Sequence, residues 1–341
     1  AAERGAAIPA LENADDAVEA VFHFPYLAHA TMEPMNCVMH RTADGLTVWN
    51  GEQLQSVDQM VLAGVFGLAP DQVTLNILYA GGGFGRRGNP QSDYLLEAAR
   101  IVKATGAEYP VKLVWTREDD MQAGYYRPMY VHRMRASLDA DGMPAAWEQR
   151  VVGQSIMTGT AMEMMIGDSG VDPTSVEGAT NLPYAIPNFR VGLHTTNADV
   201  PVTVQWWRSV GSTHTAYAGE VFLDELAERA KRDPVEYRLA MLADHPRHAA
   251  VLKLAADKAG WGEALVHVDG KRRGRGVALH ESFRSYVAQV VDVSVEDDGS
   301  YSVDRVVCAV DCGVAVNPDV VKAQMEGGIG FALAAALYGE I

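Results

Sequence analysis

Four glycines in five residues, Gly81-Gly82-Gly83-Phe84-Gly85, followed by Arg86-Arg87-Gly88, make the segment of this 341-residue chain most suited to chemistry. Glycine has no Cβ, so successive backbone N–H groups can approach an anion or a metal oxo group closely. Arg86 and Arg87 add positive charge in a chain of formal net charge −16. The loop therefore suits a phosphate-bearing or oxyanionic cofactor; the plainer alternative is a tight turn with surface arginines. Gly83 to Gly88 also satisfies G-x-G-x-x-G between a strand-like and a helix-like run, with Glu108 20 residues on. That is the outline of a NAD or flavin dinucleotide loop. Asn89-Pro90 speaks against it, because the fingerprint needs its third glycine already inside the helix.

The elements that must position this loop are readable from periodicity. Asn36 to His40 and Leu46 to Trp49 flank an Asp44-Gly45 turn, a hairpin pattern. Asp58 to Phe66 has helical spacing, Val73 to Tyr79 reads as a strand entering the loop, and Asp93 to Thr105 as a helix leaving it. Val111 to Trp115 reads as a strand, and Arg133–Leu138 with Trp147–Val152 as a second hairpin. Residues 153–187 read as a long functional loop with one short helix, whose Met162, Met164 and Met165 either line a channel or pack. Phe189 to Thr196 reads as a strand, and Thr215–Arg229, Pro234–Leu242 and His248–Ala259 as helices. After a Gly- and charge-rich stretch come strands at Val277–His280, Tyr286–Val295 and Ser302–Asp311 and a last helix at Val320–Leu337. Mixed strands, helices and hairpins predict an α+β fold.

Composition narrows the function. Hydrophobic residues are 48% and charged residues 21%, as in globular chains with an ample core. Asp plus Glu is 44 against 28 Lys plus Arg, which argues against nucleic acid or an anionic membrane surface as main partner. No apolar run reaches about 18 residues, so no membrane span is expected. Cys37, Cys308 and Cys312 are too few for an iron–sulfur cluster and read as buried small hydrophobes. A start at Ala1 and an end at Ile341, directly after a helix pattern, lead us to expect one piece of a longer polypeptide.

An ordered set of segments carries a resemblance. They are Tyr26 to Cys37 (YLAHATMEPMNC), Gly81 to Arg87, Trp207-Arg208-Ser209-Val210-Gly211, Phe222 to Leu226 (FLDEL), Asp233 to Leu239 (DPVEYRL), His280 to Phe283 (HESF) and Asp311-Cys312-Gly313 to Asn317-Pro318. With them the chain resembles the xanthine dehydrogenase/aldehyde oxidase family of molybdenum hydroxylases, in the isoquinoline 1-oxidoreductase β-subunit and aldehyde dehydrogenase branch. The resemblance runs from about residue 20 to the end. It implies two mixed-sheet molybdopterin-binding domains, the second incomplete: a lead-in at 1–20, a first domain at 21–259, a linker at 260–276 and the start of the second at 277–341. It implies oxidation of an aldehyde or N-heterocyclic aromatic with water as oxygen source. The expected cofactor is molybdopterin cytosine dinucleotide with Mo, and electrons are expected to pass to a small [2Fe–2S] subunit.

The resemblance also assigns positions. Gly82, Gly83, Phe84 and Gly85 match the family loop whose backbone holds an oxygen ligand of the metal. Gln53, 31 residues before Phe84, matches a glutamine that hydrogen-bonds the Mo oxo group. An amide suits that task because it donates without competing as a charged ligand. Arg208, bordered by Trp206 and Trp207, matches the arginine that closes over substrate, where it could stabilise developing negative charge. Gln324 resembles a glutamine near the pterin; the alternative is a helix-packing role for its Gly327-Gly328 neighbours. Leu279, His280 and Glu281 align with a substrate-lining segment, with His280 either a base or a satisfied structural histidine.

Departures refine the expectation. Purine-oxidising members carry a glutamate four residues after the loop Phe; here that residue is Gly88. The family's catalytic Gly-x-Gly-Glu segment and its Gly-Gln-Gly segment are not found, so the remaining part of the large subunit is expected to supply both. Twin-arginine signals in related subunits point to the periplasm, with the cytoplasm as alternative. Two other classes remain open: a NAD- or flavin-dependent dehydrogenase using Gly83–Gly88, and a non-catalytic cofactor-binding module.

Overall fold

A computed structural model describes residues 1–341. In chain order the elements are β1 (Ala2–Arg4), α1 (Ala7–Glu12), β2 (Val18–Phe24), β3 (Asn36–Arg41), β4 (Leu46–Asn50), α2 (Gln55–Phe66), β5 (Val73–Ile77), α3 (Asp93–Thr105), β6 (Val111–Val114) and α4 (Arg117–Gln122). They continue as β7 (Tyr130–Leu138), β8 (Pro144–Gly153), β9 (Asn188–Thr195), α5 (Ser212–Arg229), α6 (Pro234–Ala240), α7 (Pro246–Ala259), β10 (Lys271–Ser282), β11 (Ser285–Glu296), β12 (Tyr301–Asp311) and α8 (Pro318–Leu337). The strands form three sheets, with orders β1-β9-β8-β7-β2, β5-β4-β3-β6 and β10-β11-β12. The fold is α+β.

Two cores hold these layers. In the smaller one, α2 and α3 cover the four-stranded sheet; Tyr94, Leu95, Ala98 and Val102 of α3 meet Met39 and Val48 of the strands. The 3.6-residue spacing of that apolar stripe is what turns α3 onto the sheet. In the larger core, Trp147 and Phe222 pack edge to face, with ring centroids 5.0 Å apart. Leu223 and Leu226 of α5, Leu252 of α7, and Val277 and Val290 of the three-stranded sheet join them. Buried Arg238 lies between Glu220 at 3.0 Å and Asp224 at 2.6 Å. Glu220 also accepts from the amide of Leu279 at 2.7 Å, which ties β10 to α5 and α6.

Several expectations are adjusted. Residues 271–276, expected in a linker, are strand. Their charges are cross-strand pairs, Lys271 with Glu296 at 2.7 Å and Arg275 with Asp292 at 2.6 Å, each pair directly opposite in register. Charge-rich alternation was the mark of a half-solvated strand rather than a flexible tether. Residues 2–4, expected in a lead-in, extend the five-stranded sheet through pairing with β9. The 153–187 stretch holds three short 3₁₀ turns in place of one helix. Buried Asp172 anchors it by accepting from Ser155 Oγ at 2.6 Å and from the Thr174 amide at 2.8 Å. Met164 and Met165 lie on the surface there, not in packing. Cys37 sits in the smaller core, where burial pushes its thiol up to about 12.

α8 also departs from expectation. By length and composition alone it is long and apolar enough to cross a membrane. Its apolar end, Gly327–Leu337, is preceded in the same helix by nine residues, Pro318–Glu326, which carry Asp319, Lys322 and Glu326. Asn317 caps the helix by accepting from the amides of Asp319 and Val320.

Candidate active site

The glycine loop leaves the sheet beyond β5 and turns back on itself through Arg86 N–H to Gly83 O at 2.8 Å and Gly88 N–H to Gly85 O at 3.0 Å. Gly82 and Gly85 have φ of 102° and 101°, and Phe84 is held at 51°. A Cβ at Gly85 would run into the carbonyl oxygen of Trp206. The amides of Gly82, Gly83, Phe84 and Gly85 donate to no group of the chain. Four consecutive free N–H groups in a cradle are what an oxygen-rich ligand needs.

The two loop arginines do not add to that cradle, contrary to expectation. Both are buried. Arg86 pairs with Asp93 at 2.5 Å. Arg87 donates to Gly82 O at 2.9 Å and Gly51 O at 3.1 Å, and pairs with Glu33 at 3.5 Å. A guanidinium has five donors in a rigid fork, so Arg87 can bind two loops at once. It ties the glycine loop to the turn that carries Gln53.

That turn joins β4 to α2. Buried Glu52 accepts from the amides of Gln53 at 2.7 Å and Leu54 at 3.3 Å through Oε1. Its Oε2 accepts from Tyr94 Oη at 2.9 Å and Asn50 Nδ2 at 3.1 Å. Burial raises the Glu52 carboxyl, and burial beside Glu52 pushes Asp58 up to about 8. The backbone is thereby fixed while the Gln53 carboxamide stays free of hydrogen bonds and exposed to the cleft. Its Oε1 lies 3.2 Å from where a Cβ on Gly83 would sit.

The third side is the segment Gln205 to Val210. Gln205 Nε2 donates to Gly85 O at 3.1 Å, and buried His29 donates from Nε2 to Trp206 O at 2.8 Å. Burial holds His29 down to about 3, so the ring is neutral and Nε2 carries its proton. The Trp206 indole donates to Thr174 Oγ1 at 3.1 Å. Arg208 then projects toward α8, where Nη2 donates to Gln324 Oε1 at 2.9 Å and Gln324 O at 3.2 Å. Gln53, the Gly83–Gly85 loop, Arg208 and Gln324 line one open cleft of about 700 Å³.

Leu279, His280 and Glu281 are not among the residues that line this cleft. Strand alternation turns Leu279 into the larger core. The His280 ring lies against Gly178, and burial pushes it down to about 4. Glu281 faces His248 at 3.3 Å. Glu52, His29 and Gln205, which position the site, were not singled out from the sequence. His29 stands in the Tyr26–Cys37 motif, but the other two carry no local pattern.

The fold matches that of solved oxidoreductases. The aldehyde oxidoreductase of Desulfovibrio desulfuricans superposes with a TM-score of 0.64 at 20% identity, over 89% of this chain and 34% of that one. Quinoline 2-oxidoreductase of Pseudomonas putida 86 gives 0.64 at 19%, over 82% and 37%. The family model for the molybdopterin cofactor-binding domain matches residues 1–242, and a second such model matches 197–341. This chain belongs to the molybdopterin cofactor-binding domain family. It is 36% identical to the isoquinoline 1-oxidoreductase β subunit of Brevundimonas diminuta, over 90% of this chain and 39% of that protein. It is 32% identical to a membrane-bound aldehyde dehydrogenase (pyrroloquinoline-quinone) of Gluconacetobacter polyoxogenes, over 91% and 42%. The chain thus spans about two fifths of the length of these relatives.

Proposed function

We propose that this chain forms one wall of the cofactor and substrate site in the large subunit of a molybdenum-dependent oxidoreductase. The carrying observation is convergence: the unpaired amides of Gly83, Phe84 and Gly85, the free Gln53 carboxamide and the Arg208–Gln324 pair meet at one cleft. Neutral donors suit an oxyanionic metal centre because they stabilise negative charge without competing as ligands. When bound, a molybdenum–pterin group supplies two-electron redox chemistry with oxygen drawn from water. The Gly82–Gly85 amides and Gln53 Nε2 would hold its oxygen ligands, and Gln324 would lie against the pterin. Arg208 would exchange Gln324 for substrate and stabilise negative charge developing on a carbonyl or ring.

The substrate is an aldehyde or an N-heterocyclic aromatic, since Gly88 offers no carboxylate to grip a purine. The rest of the large subunit supplies the glutamate base and the Gly-Gln-Gly segment, a [2Fe–2S] subunit takes the electrons, and the pterin is the cytosine dinucleotide form. A dinucleotide-loop reading finds less support: β3 pairs antiparallel with both β4 and β6, and α3 starts only at Asp93, well beyond Gly88. The test is elemental mass spectrometry on the natively purified full-length subunit with its partners. About one Mo per copy is expected, and its absence would sink the reading. Gln53→Ala should keep the metal and lose roughly a hundredfold in kcat, as for one removed donor at a charge-stabilising site. Arg208→Lys should lose kcat/KM, because an ammonium lacks the planar fork.

A further inference from the structure

Val210 ends the turn that carries Arg208 and leads into α5, and its backbone is strained. Seven non-glycine residues have positive φ, and Val210, at 52°, is the one β-branched residue among them. A branched Cβ crowds its own backbone in the left-handed region, so a valine left to itself takes negative φ. The conformation persists only where the surroundings fix it from several sides. Within the turn, the Val210 amide donates to Trp207 O at 2.8 Å, closing the chain around Arg208 and Ser209. The Val210 carbonyl accepts from Thr213 Oγ1 at 2.7 Å.

Behind the turn stands the segment Asp172–Gly178 of the long loop. Glu177 Oε1 accepts from the Gly211 amide at 3.0 Å, and Glu177 O accepts from Thr215 Oγ1 at 2.6 Å. A Cβ at Gly211 would run into the carbonyl oxygen of Thr174, so the two backbones touch. Thr174 is itself fixed by buried Asp172, whose Oδ1 accepts from its amide at 2.8 Å and its hydroxyl at 2.6 Å. Glu177 does not line the cleft, so its route to a ligand there runs through the turn.

We propose that Asp172–Gly178 is a brace that holds Val210 left-handed and so aims Arg208 into the cleft, with Glu177 as its positioning residue. The inference rests on the function proposed above only for the part played by Arg208. α5 is anchored in the larger core by Phe222, Leu223 and Leu226, so it stays in place when Glu177 releases the Gly211 amide. Val210 then returns to negative φ, a rotation of roughly 100°, and the turn before it swings away with Arg208.

The experiment compares Glu177→Ala and Glu177→Gln in the natively purified full-length complex, each alone and combined with Val210→Gly. Glycine takes positive φ without penalty and needs no brace. The first readout is hydrogen exchange of the amide at position 210, which Glu177 does not touch. Glu177→Ala should speed it at least about fivefold, the size of one left-handed penalty. Glu177→Gln keeps an acceptor oxygen and should match the parent. The second readout is kcat/KM, which Glu177→Ala should lower by a similar factor. Both losses should shrink to less than about twofold when Val210→Gly is already present, as the coupling of two residues in one strained unit requires. Unchanged exchange in Glu177→Ala, or equal losses with and without Val210→Gly, would overturn the brace. Exchange is read without turnover, so a subunit lacking molybdenum would count against the proposed function and leave this result readable.

Discussion

At the scale of single residues, the cleft is built from backbone conformation as much as from side chains. Gly85 holds φ at 101° with the Trp206 carbonyl oxygen where a Cβ would be. Gly85→Ala must strain the loop and push away the segment leading to Arg208. We expect a loss of about 2–4 kcal/mol from combined backbone strain and overpacking. A lowered Tm with reduced bound molybdenum would show it; an unchanged Tm would contradict the tight approach. Arg86 and Arg87 teach the reverse lesson. Their types and position suggested anion binding, but burial requires each guanidinium to be spent on carboxylates and carbonyls of the chain itself.

At the scale of elements, the turn into α2 carries a buried acid pair directly behind Gln53. Burial and the Glu52 charge push Asp58 up to about 8. Its folded value lies above its unfolded one. Its contribution to stability is therefore full below about 4 and is lost as pH rises through 8. Asp58→Asn is close to isosteric and has no proton to lose. The gap in urea midpoint between Asp58→Asn and the parent should widen in favour of the variant from pH 4 to 8, then level off. A constant gap would refute the raised Asp58 carboxyl. The helix itself was readable from spacing at Asp58 to Phe66, yet the acid pair was not, because pairing Glu52 with Tyr94 of α3 depends on how two helices cover one sheet.

At the scale of the whole molecule, β7 and α5 meet through a neutral histidine pair. Gln149 donates to His132 Nδ1 at 2.9 Å, His132 donates from Nε2 to His214 Nδ1 at 2.8 Å, and Tyr130 stacks on His214 at 3.8 Å. Burial pushes His132 down to about 3 and His214 well below the ordinary range. Both folded values lie below the unfolded one, so this contribution is present above about 6.5 and lost as pH falls. Each neutral histidine should cost about 1.4 kcal/mol per pH unit below that point. A His132→Phe/His214→Leu variant should show a flatter decline of denaturation midpoint from pH 7 to 5 than the parent; equal slopes would contradict the assignment.

By itself the sequence determined the periodic elements, the α+β class and the family, since these depend on local spacing and on residues kept in order along the chain. It also marked the glycine loop and, through the family resemblance that its 31-residue spacing from Phe84 supports, Gln53. Only the tertiary structure decided which charges were free to act. It consumed Arg86 and Arg87, turned Leu279 into the core, and paired Arg208 with Gln324, 116 residues away. It likewise made strand of Lys271–Gly276 and set Phe331 against Phe84 and Trp207. The reason is physical: a local pattern states what a residue can do, whereas burial and the long-range partners that burial demands decide what remains available to a ligand.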